Sequence, residues 1–370
     1  MSNPKKINNP TPARVLVTPL EWGLGHATRS IPIIKELLAL ECEVFVAAEG
    51  GILDLLKSEF PEVNFLLLKG YRVKLSKKSS LFWKMISQLP GIIFNIYLEN
   101  KWLQRTIKHH KINAVISDNR FGLFNKKLTC IYITHQLLIK TGNDFIDKLV
   151  QQINFYFIKK YDQCWVPDFK ENGLAGELSH PAKIPKNVIY IGALSRFSNE
   201  EEPQKIYDLL IILSGPEPQR TIFEKILFSQ LINYTGKAFF VRGLPGAHET
   251  IQSENVPVKV VNHLTGEELS TVIQQSKIII SRSGYTTIMD LLKLKKSAIL
   301  VPTPGQTEQE YLANYLMEKK IFFCINQKDF ALDKAIKRFQ EFSFIFPNFN
   351  MEQYKPILND FVKFINNPKR

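Results

Sequence analysis

The stretch Ile278-Ile-Ile-Ser-Arg-Ser-Gly-Tyr-Thr-Thr-Ile-Met-Asp290 runs from an apolar, β-branched segment into a short polar turn, and then straight into a helical pattern. An apolar run without alternation suits a strand covered on both faces, as a parallel sheet between helix layers requires. At such a strand–helix junction the first N–H groups of the helix have no partner inside it. With Arg282, Ser283 and Gly284 in the turn and hydroxyls at Thr286 and Thr287, the junction reads as a cradle for a phosphate. Asp290 lies one to two turns into the helix, where a carboxylate can accept two hydrogen bonds from a ribose diol or simply favour the helix start.

The same rhythm extends outward in both directions. Upstream, strand-like runs occur at 14–18, 43–47, 64–68, 114–117, 130–134, 163–166 and 188–191. In the second half they occur at 208–213, 238–241, 258–261, 277–281, 298–301 and 322–325. Longer helical stretches separate them, so the fold class expected is α/β, with two Rossmann-like doubly wound domains. The polar stretch Leu194–Lys205, closed by Pro203, reads as the linker. The expected units are residues 1–197, residues 198–348, and a terminal helix within 349–370 that either packs on the second unit or crosses back to the first. Thr265 with Glu268, and Thr307 with Glu310, both fit the capping box.

Composition narrows the classes. The 370 residues carry a formal net charge of +13, and the sequence pI is 9.4, so an anionic partner is expected. The four cysteines lie far apart, without the spacing of a zinc site or disulfide framework, and read as reduced thiols. Met1–Pro12 has no apolar core, so no secretory signal is expected. No apolar stretch approaches the ~20 residues a spanning helix needs. A cytoplasmic protein, soluble or peripheral on a membrane, is the expectation.

The first strand–helix turn reads Thr18-Pro-Leu-Glu-Trp-Gly-Leu-Gly-His-Ala-Thr-Arg-Ser30. Gly23 and Gly25 permit close approach of a ligand. His26 sits at the carboxyl end of the first strand, the ligand edge of an α/β sheet, and its imidazole titrates near neutrality. Asp118, Asn119 and Arg120 follow the fourth strand, and His135 the fifth, at the same edge. These are acceptor-side candidates, with Asp118 a rival to His26 as base; turn formation explains each of them singly as well. Past the strand at 298–301, Gln306, Glu308 and Gln309 group amides and a carboxylate suited to sugar hydroxyls.

Together, Gly23-Leu-Gly25-His26, Ser281-Arg-Ser-Gly-Tyr-Thr-Thr-Ile-Met-Asp290 and the downstream Pro-Gly-Gln-Thr-Glu-Gln-Glu resemble glycosyltransferase family 28. This is the GT-B group that includes the peptidoglycan GlcNAc transferase MurG and the galactolipid synthases. The resemblance implies a GT-B fold whose two domains face a central cleft, the first receiving an acceptor and the second a nucleotide-sugar donor. It places Tyr285 and Thr287 by the donor phosphates, Asp290 by the ribose, Glu308 and Gln309 by the donor sugar, and His263 and Leu264 beside the base. His26 becomes the catalytic base, or a donor to the transferred group. The family's second glycine-rich loop is here Leu213-Ser-Gly-Pro-Glu-Pro-Gln-Arg220, where two prolines supply no N–H. Phosphate contacts then fall to Ser214, Gly215 and Arg220.

The implied reaction moves a sugar, GlcNAc or a hexose on UDP, to a hydroxyl of a lipid-linked or glycan acceptor, with inversion. No D-x-D pair occurs, so no metal site and no cofactor beyond the nucleotide-sugar substrate are expected, and Arg282 would take the metal's electrostatic part. A nucleotide-sugar hydrolase of the pseudaminic-acid-pathway type shares these motifs and stays an alternative.

Between Lys69 and Lys111 ten Lys/Arg face a single acid, Glu99, and are interleaved with Phe82, Trp83, Ile92, Phe94, Tyr97 and Trp102. This reads either as a docking face for an anionic leaflet or as helices with solvated lysines. No nucleic-acid-binding motif accompanies the positive charge, so a nucleic-acid partner is not expected.

Overall fold

The computed structural model describes residues 12–21, 23–71, 81–140, 143–198, 203–244 and 258–367. Parts of the basic segment (72–80) and of the linker (199–202) lie outside the described residues, as does most of the first twelve residues.

The first unit runs β1 (Arg14–Pro19), α1 (Leu24–Ala39), β2 (Glu43–Ala48), α2 (Gly50–Glu59), β3 (Asn64–Leu67), α3 (Leu81–His110), β4 (Ala114–Asp118), β5 (Thr129–Ile133), α4 (Asp144–Ile158), β6 (Gln163–Val166) and β7 (Val188–Tyr190). Its strands form one parallel sheet in the order β3-β2-β1-β4-β5-β6-β7. The second unit runs β8 (Tyr207–Ile212), α5 (Gln219–Leu231), β9 (Ala238–Val241), β10 (Val258–Val261), α6 (Gly266–Gln274), β11 (Ser276–Ser281), α7 (Tyr285–Lys293), β12 (Ile299–Leu300), α8 (Thr307–Glu318), β13 (Phe323–Cys324), α9 (Leu332–Glu341) and α10 (Tyr354–Asn366). Its parallel sheet is ordered β10-β9-β8-β11-β12-β13.

Both sheets reverse their winding after the first strand of the unit, between β1 and β4 and between β8 and β11. The loops leaving those strands therefore splay to opposite sides and open a crevice at the carboxyl edge. Central strands are apolar throughout because both faces are covered: Val15, Leu16 and Val17 of β1, and Ile278, Ile279 and Ile280 of β11, are buried. These are the two doubly wound units expected from the strand rhythm, in the GT-B arrangement that the family resemblance implies.

One apolar cluster crosses the boundary between the units, joining Ile31 and Ile34 of α1 to Tyr285, Ile288 and Met289 of α7. Helix α10 buries Tyr354, Leu358, Phe361 and Val362 and packs against α1. Phe361 meets Trp165 of β6 edge-on, with ring centroids 5.4 Å apart. Just upstream, Phe349 stacks on Phe169 at 3.9 Å. The chain thus returns to the first unit after completing the second, and its last helix clamps the pair.

The capping box at Thr265 and Glu268 is present at the start of α6. The one expected at Thr307 and Glu310 is not. Thr307 is already inside α8, and its hydroxyl donates to the carbonyl oxygen of Lys140 in the first unit. Glu310 instead accepts from the Gly305 N–H at 2.9 Å.

Candidate active site

The crevice is defined by two helix starts. Gly23, with φ of 95°, lets the chain leave β1 and turn directly into α1, a conformation open to glycine at little cost. Gly25 lies on the first turn of α1 and Thr286 on the first turn of α7; the Thr286 hydroxyl donates to the Gly25 carbonyl oxygen at 3.3 Å. A Cβ on Gly25 would fall 3.0 Å from that hydroxyl, so any larger residue would push the Thr286 side chain back. Two positive helix ends are thereby brought together at the carboxyl edges of the two sheets.

Beside this contact lies a buried polar cluster. Register pairs Pro19 of β1 with Asp118 of β4, which carries Asp118 under the first turns of α1. Arg29, one turn after His26, clasps the Asp118 carboxylate: Nε donates to Oδ2 at 2.7 Å, and Nη2 donates to Oδ1. His26 Nδ1 lies 3.2 Å from Asp118 Oδ2 and 2.8 Å from Arg29 Nη2. Arg29 Nη1 lies 3.1 Å from His135 Nδ1. Burial alone would raise the Asp118 pKa, but Arg29 and His26 outweigh it and hold the carboxyl down at about 2. Burial, with the Arg29 charge beside it, lowers that of His26.

The cluster continues across the crevice. His135 Nε2 meets Glu308 Oε1 at 2.7 Å, and the Gln136 side-chain amide donates to Glu308 Oε2. The His135 ring stacks on Tyr285, with centroids 4.3 Å apart and planes 8° from parallel. Burial pushes the Glu308 pKa up, but His135 and Arg29 pull it below the ordinary carboxylate value.

Several sequence-predicted residues have other work. Arg282 is fully buried. It donates to the carbonyl oxygens of Val301, Pro302 and Gln219 and lies 4.3 Å over the Phe223 ring. A guanidinium spent on three main-chain carbonyls braces the β11 and β12 loops and presents nothing to the crevice. Arg220 is likewise buried, bound by Glu217 and Glu224. Arg120 is enclosed by Glu99 and Glu21 and shapes the 119–122 turn from beneath. Asn119 sits at φ of 55°, a left-handed turn position that asparagine tolerates. Tyr285 donates its hydroxyl to the Pro167 carbonyl oxygen at 2.8 Å. Ser283 is buried and donates to the Gln309 carbonyl oxygen. The Gln309 side chain accepts from the Thr303 N–H and donates to Gln306 Oε1. Asp290 is buried and accepts from the Ser195 hydroxyl at 2.6 Å, which ties α7 to the linker.

Gly284, the cap of α7, and Thr287 are partly exposed, as are His263 and Leu264 beyond β10; Ser214 and Gly215 are exposed after β8. All follow the carboxyl ends of β8, β10 and β11 in the second unit's sheet. Arg29 and Gln136 were not singled out in the sequence. The signal for Arg29 was its place three residues after His26, on the same helical face.

Comparison with known proteins bears on this site. The "Glycosyltransferase family 28 C-terminal domain" matches residues 216–354. A Bacillus cereus protein named UDP-N-acetylglucosamine–N-acetylmuramyl-(pentapeptide) pyrophosphoryl-undecaprenol N-acetylglucosamine transferase 1 is 21% identical over 363 residues, covering 89% of this chain and 90% of that protein. A Prochlorococcus marinus protein of the same description is 30% identical over 132 residues, 35% of this chain and 36% of the relative. Among solved structures, the glycosyltransferase of kitacinnamycin superimposes with a TM-score of 0.64 at 13% identity, covering 96% of each chain.

Proposed function

We propose that this chain, a MurG-like glycosyltransferase carrying the family 28 C-terminal domain, transfers a sugar from a UDP-linked donor to a hydroxyl of a lipid-linked acceptor, with inversion and without a bound metal. The observation that carries this reading is the meeting of α1 and α7, start to start, at Gly25 and Thr286. Unpaired N–H groups and the dipoles of both helices concentrate positive potential where a diphosphate would leave.

In that reading the acceptor oxygen bonds to the sugar's anomeric carbon as the carbon–oxygen bond to the diphosphate breaks, and its electron pair departs with the diphosphate. The resulting oxonium is a strong acid and loses its proton to water. Positioning and fixed dipoles lower the barrier to a transition state of oxocarbenium character. Gly284 and Thr287 would meet the phosphates together with Ser214 and Gly215, while His263 and Leu264 would flank the base. Asp118, held at about 2 and clasped by Arg29, is a poor base. Glu308 would reach a donor sugar only by giving up His135 and Gln136. Asp290 would reach a ribose only alongside Ser195.

A lipid-linked acceptor draws support from the first unit's surface. Ile93, Phe94, Tyr97 and Leu98 of α3 are exposed, and so are Phe145, Leu149, Ile153 and Tyr156 of α4. Lys101 lies over the Tyr97 ring and Lys160 over the Tyr156 ring. Both helices also contribute to one small apolar cluster around Ile96, through Ile92 and Phe157. Apolar side chains ringed by lysines suit an anionic leaflet. Among the described residues no helix is long and apolar enough to cross a membrane.

The test is incubation with UDP-sugars, with and without lipid-linked acceptor in anionic vesicles. Acceptor-dependent release of UDP with a glycosylated lipid product is expected. Fast donor hydrolysis that no acceptor alters would overturn transfer in favour of a hydrolase.

A further inference from the structure

Arg29 is fully buried, yet its guanidinium touches three titratable side chains at once: Asp118, His26 and His135. A guanidinium carries five N–H donors, no lone pair to accept with, and a charge it does not give up in proteins. Each imidazole nitrogen facing it must therefore be the accepting one. From these contacts we infer that Arg29 is a positioning residue that fixes His26 and His135 as the neutral tautomer with the proton on Nε2, so that His26 meets a substrate as a hydrogen-bond donor and not as a base.

His135 supplies an independent check. Its Nδ1 faces Arg29 at 3.1 Å, while its Nε2 faces Glu308 Oε1 at 2.7 Å. An ionised carboxylate only accepts, so the proton of that second bond belongs to Nε2. The two contacts, made to opposite kinds of group, select one tautomer.

For His26 the competing partner is Asp118 Oδ2, 3.2 Å from Nδ1. A proton on Nδ1 would suit that oxygen, but it would face Arg29 Nη2 at 2.8 Å, donor against donor. Asp118 already accepts two bonds from Arg29 and gains little from a third. The shorter contact prevails, and Nε2, with its proton, is the nitrogen left for a ligand. Imidazolium formation would place a proton on Nδ1 as well and is opposed by the same guanidinium.

This deepens the transfer reading and rests on it only for what His26 serves: its N–H steadies negative charge on the transferred group or the departing diphosphate and keeps its proton. The tautomer itself can be read without any turnover.

The experiment is long-range proton–nitrogen correlation spectroscopy on the full chain with nitrogen-15 histidine, assigned among the seven histidines with His26→Asn and His135→Gln. His26 and His135 are expected as Nε2–H tautomers. In Arg29→Met, His26 is expected to move toward Nδ1–H, because Asp118 is then released to accept. In parallel, the pH–rate profile of Arg29→Met should gain a histidine-like ionisation that the wild type lacks. The groups facing His26 that could shape that profile are Arg29, Asp118, His135 and Glu308. Should Arg29→Met fail to fold with Asp118 left uncompensated, Arg29→Met with Asp118→Asn removes the stranded charge and still frees the His26 proton to exchange between nitrogens. A wild-type spectrum with His26 protonated on Nδ1 overturns the inference. An Nε2–H spectrum from a protein that transfers no sugar leaves the tautomer standing and sinks the transfer reading alone.

Discussion

Glu308, in the first turn of α8, lies 2.7 Å from His135, at the carboxyl edge of β5 in the other unit. The bond crosses the crevice, and the Gln136 amide reinforces it. Glu308 of the second unit is therefore held by two side chains of the first. Charge-assisted hydrogen bonds contribute about 1.5–3 kcal/mol. Glu308→Ala should accordingly raise amide hydrogen exchange at 134–136 and 307–309 by roughly ten- to a hundredfold. Unchanged exchange would mean that the stacked Tyr285 and the α1–α7 contact hold the crevice shut unaided.

Much of this was legible beforehand. Each run read as a strand holds one, and the central strands are apolar throughout because helices cover both of their faces. The Thr265–Glu268 cap was legible because both partners lie within one turn. The Thr307 cap failed because a tertiary partner, the Lys140 carbonyl, outbid the local one. Arg282 and Arg120 misled for a related reason: an arginine in a sheet-edge turn looks like an anion ligand until the carbonyls and carboxylates around it are placed. Arg29 was hidden because its partners, Asp118 and His135, are 89 and 106 residues away in sequence.

His26 is one residue from the Gly25–Thr286 meeting of the helix ends, and it contacts the Arg29–Asp118 pair on the first unit's side. Its interactions should be made chiefly in the transition state. His26→Ala is expected to lower kcat by about 100- to 1000-fold, with UDP affinity changed by no more than about threefold. Steady-state kinetics beside calorimetric titration of UDP would check both halves. A large fall in affinity with kcat preserved would move His26 to ground-state binding.

Arg282 braces the loops around β11 and β12 from below. Its charge is buried deeply enough that desolvation lowers its pKa to about 10. Arg282→Met would leave three main-chain carbonyls without their donor, a loss of about 3–5 kcal/mol in urea unfolding. Measured on folded protein, UDP affinity should change by less than about threefold, since the guanidinium does not face the crevice. Full stability together with a collapse in UDP binding would return Arg282 to the phosphate site.

Asp290 couples stability to pH. Burial pushes its pKa from 3.8 to about 6, against the pull of Arg196 and of the Ser195 hydroxyl. Between about pH 4 and 6 the native chain therefore holds a proton that the unfolded chain releases. The contribution of this group is fully present below pH 4 and is lost as pH rises through 6. The upper bound on that loss is about 3 kcal/mol by pH 7. Asp290→Asn keeps an oxygen for Ser195 to donate to but cannot ionise, so it should gain on the wild type as pH rises. Urea unfolding of both proteins at about pH 4.5 and about pH 7 measures the difference. A gap of the same size at both values would mean that Asp290 titrates as an ordinary carboxylate and that its burial is relieved by water.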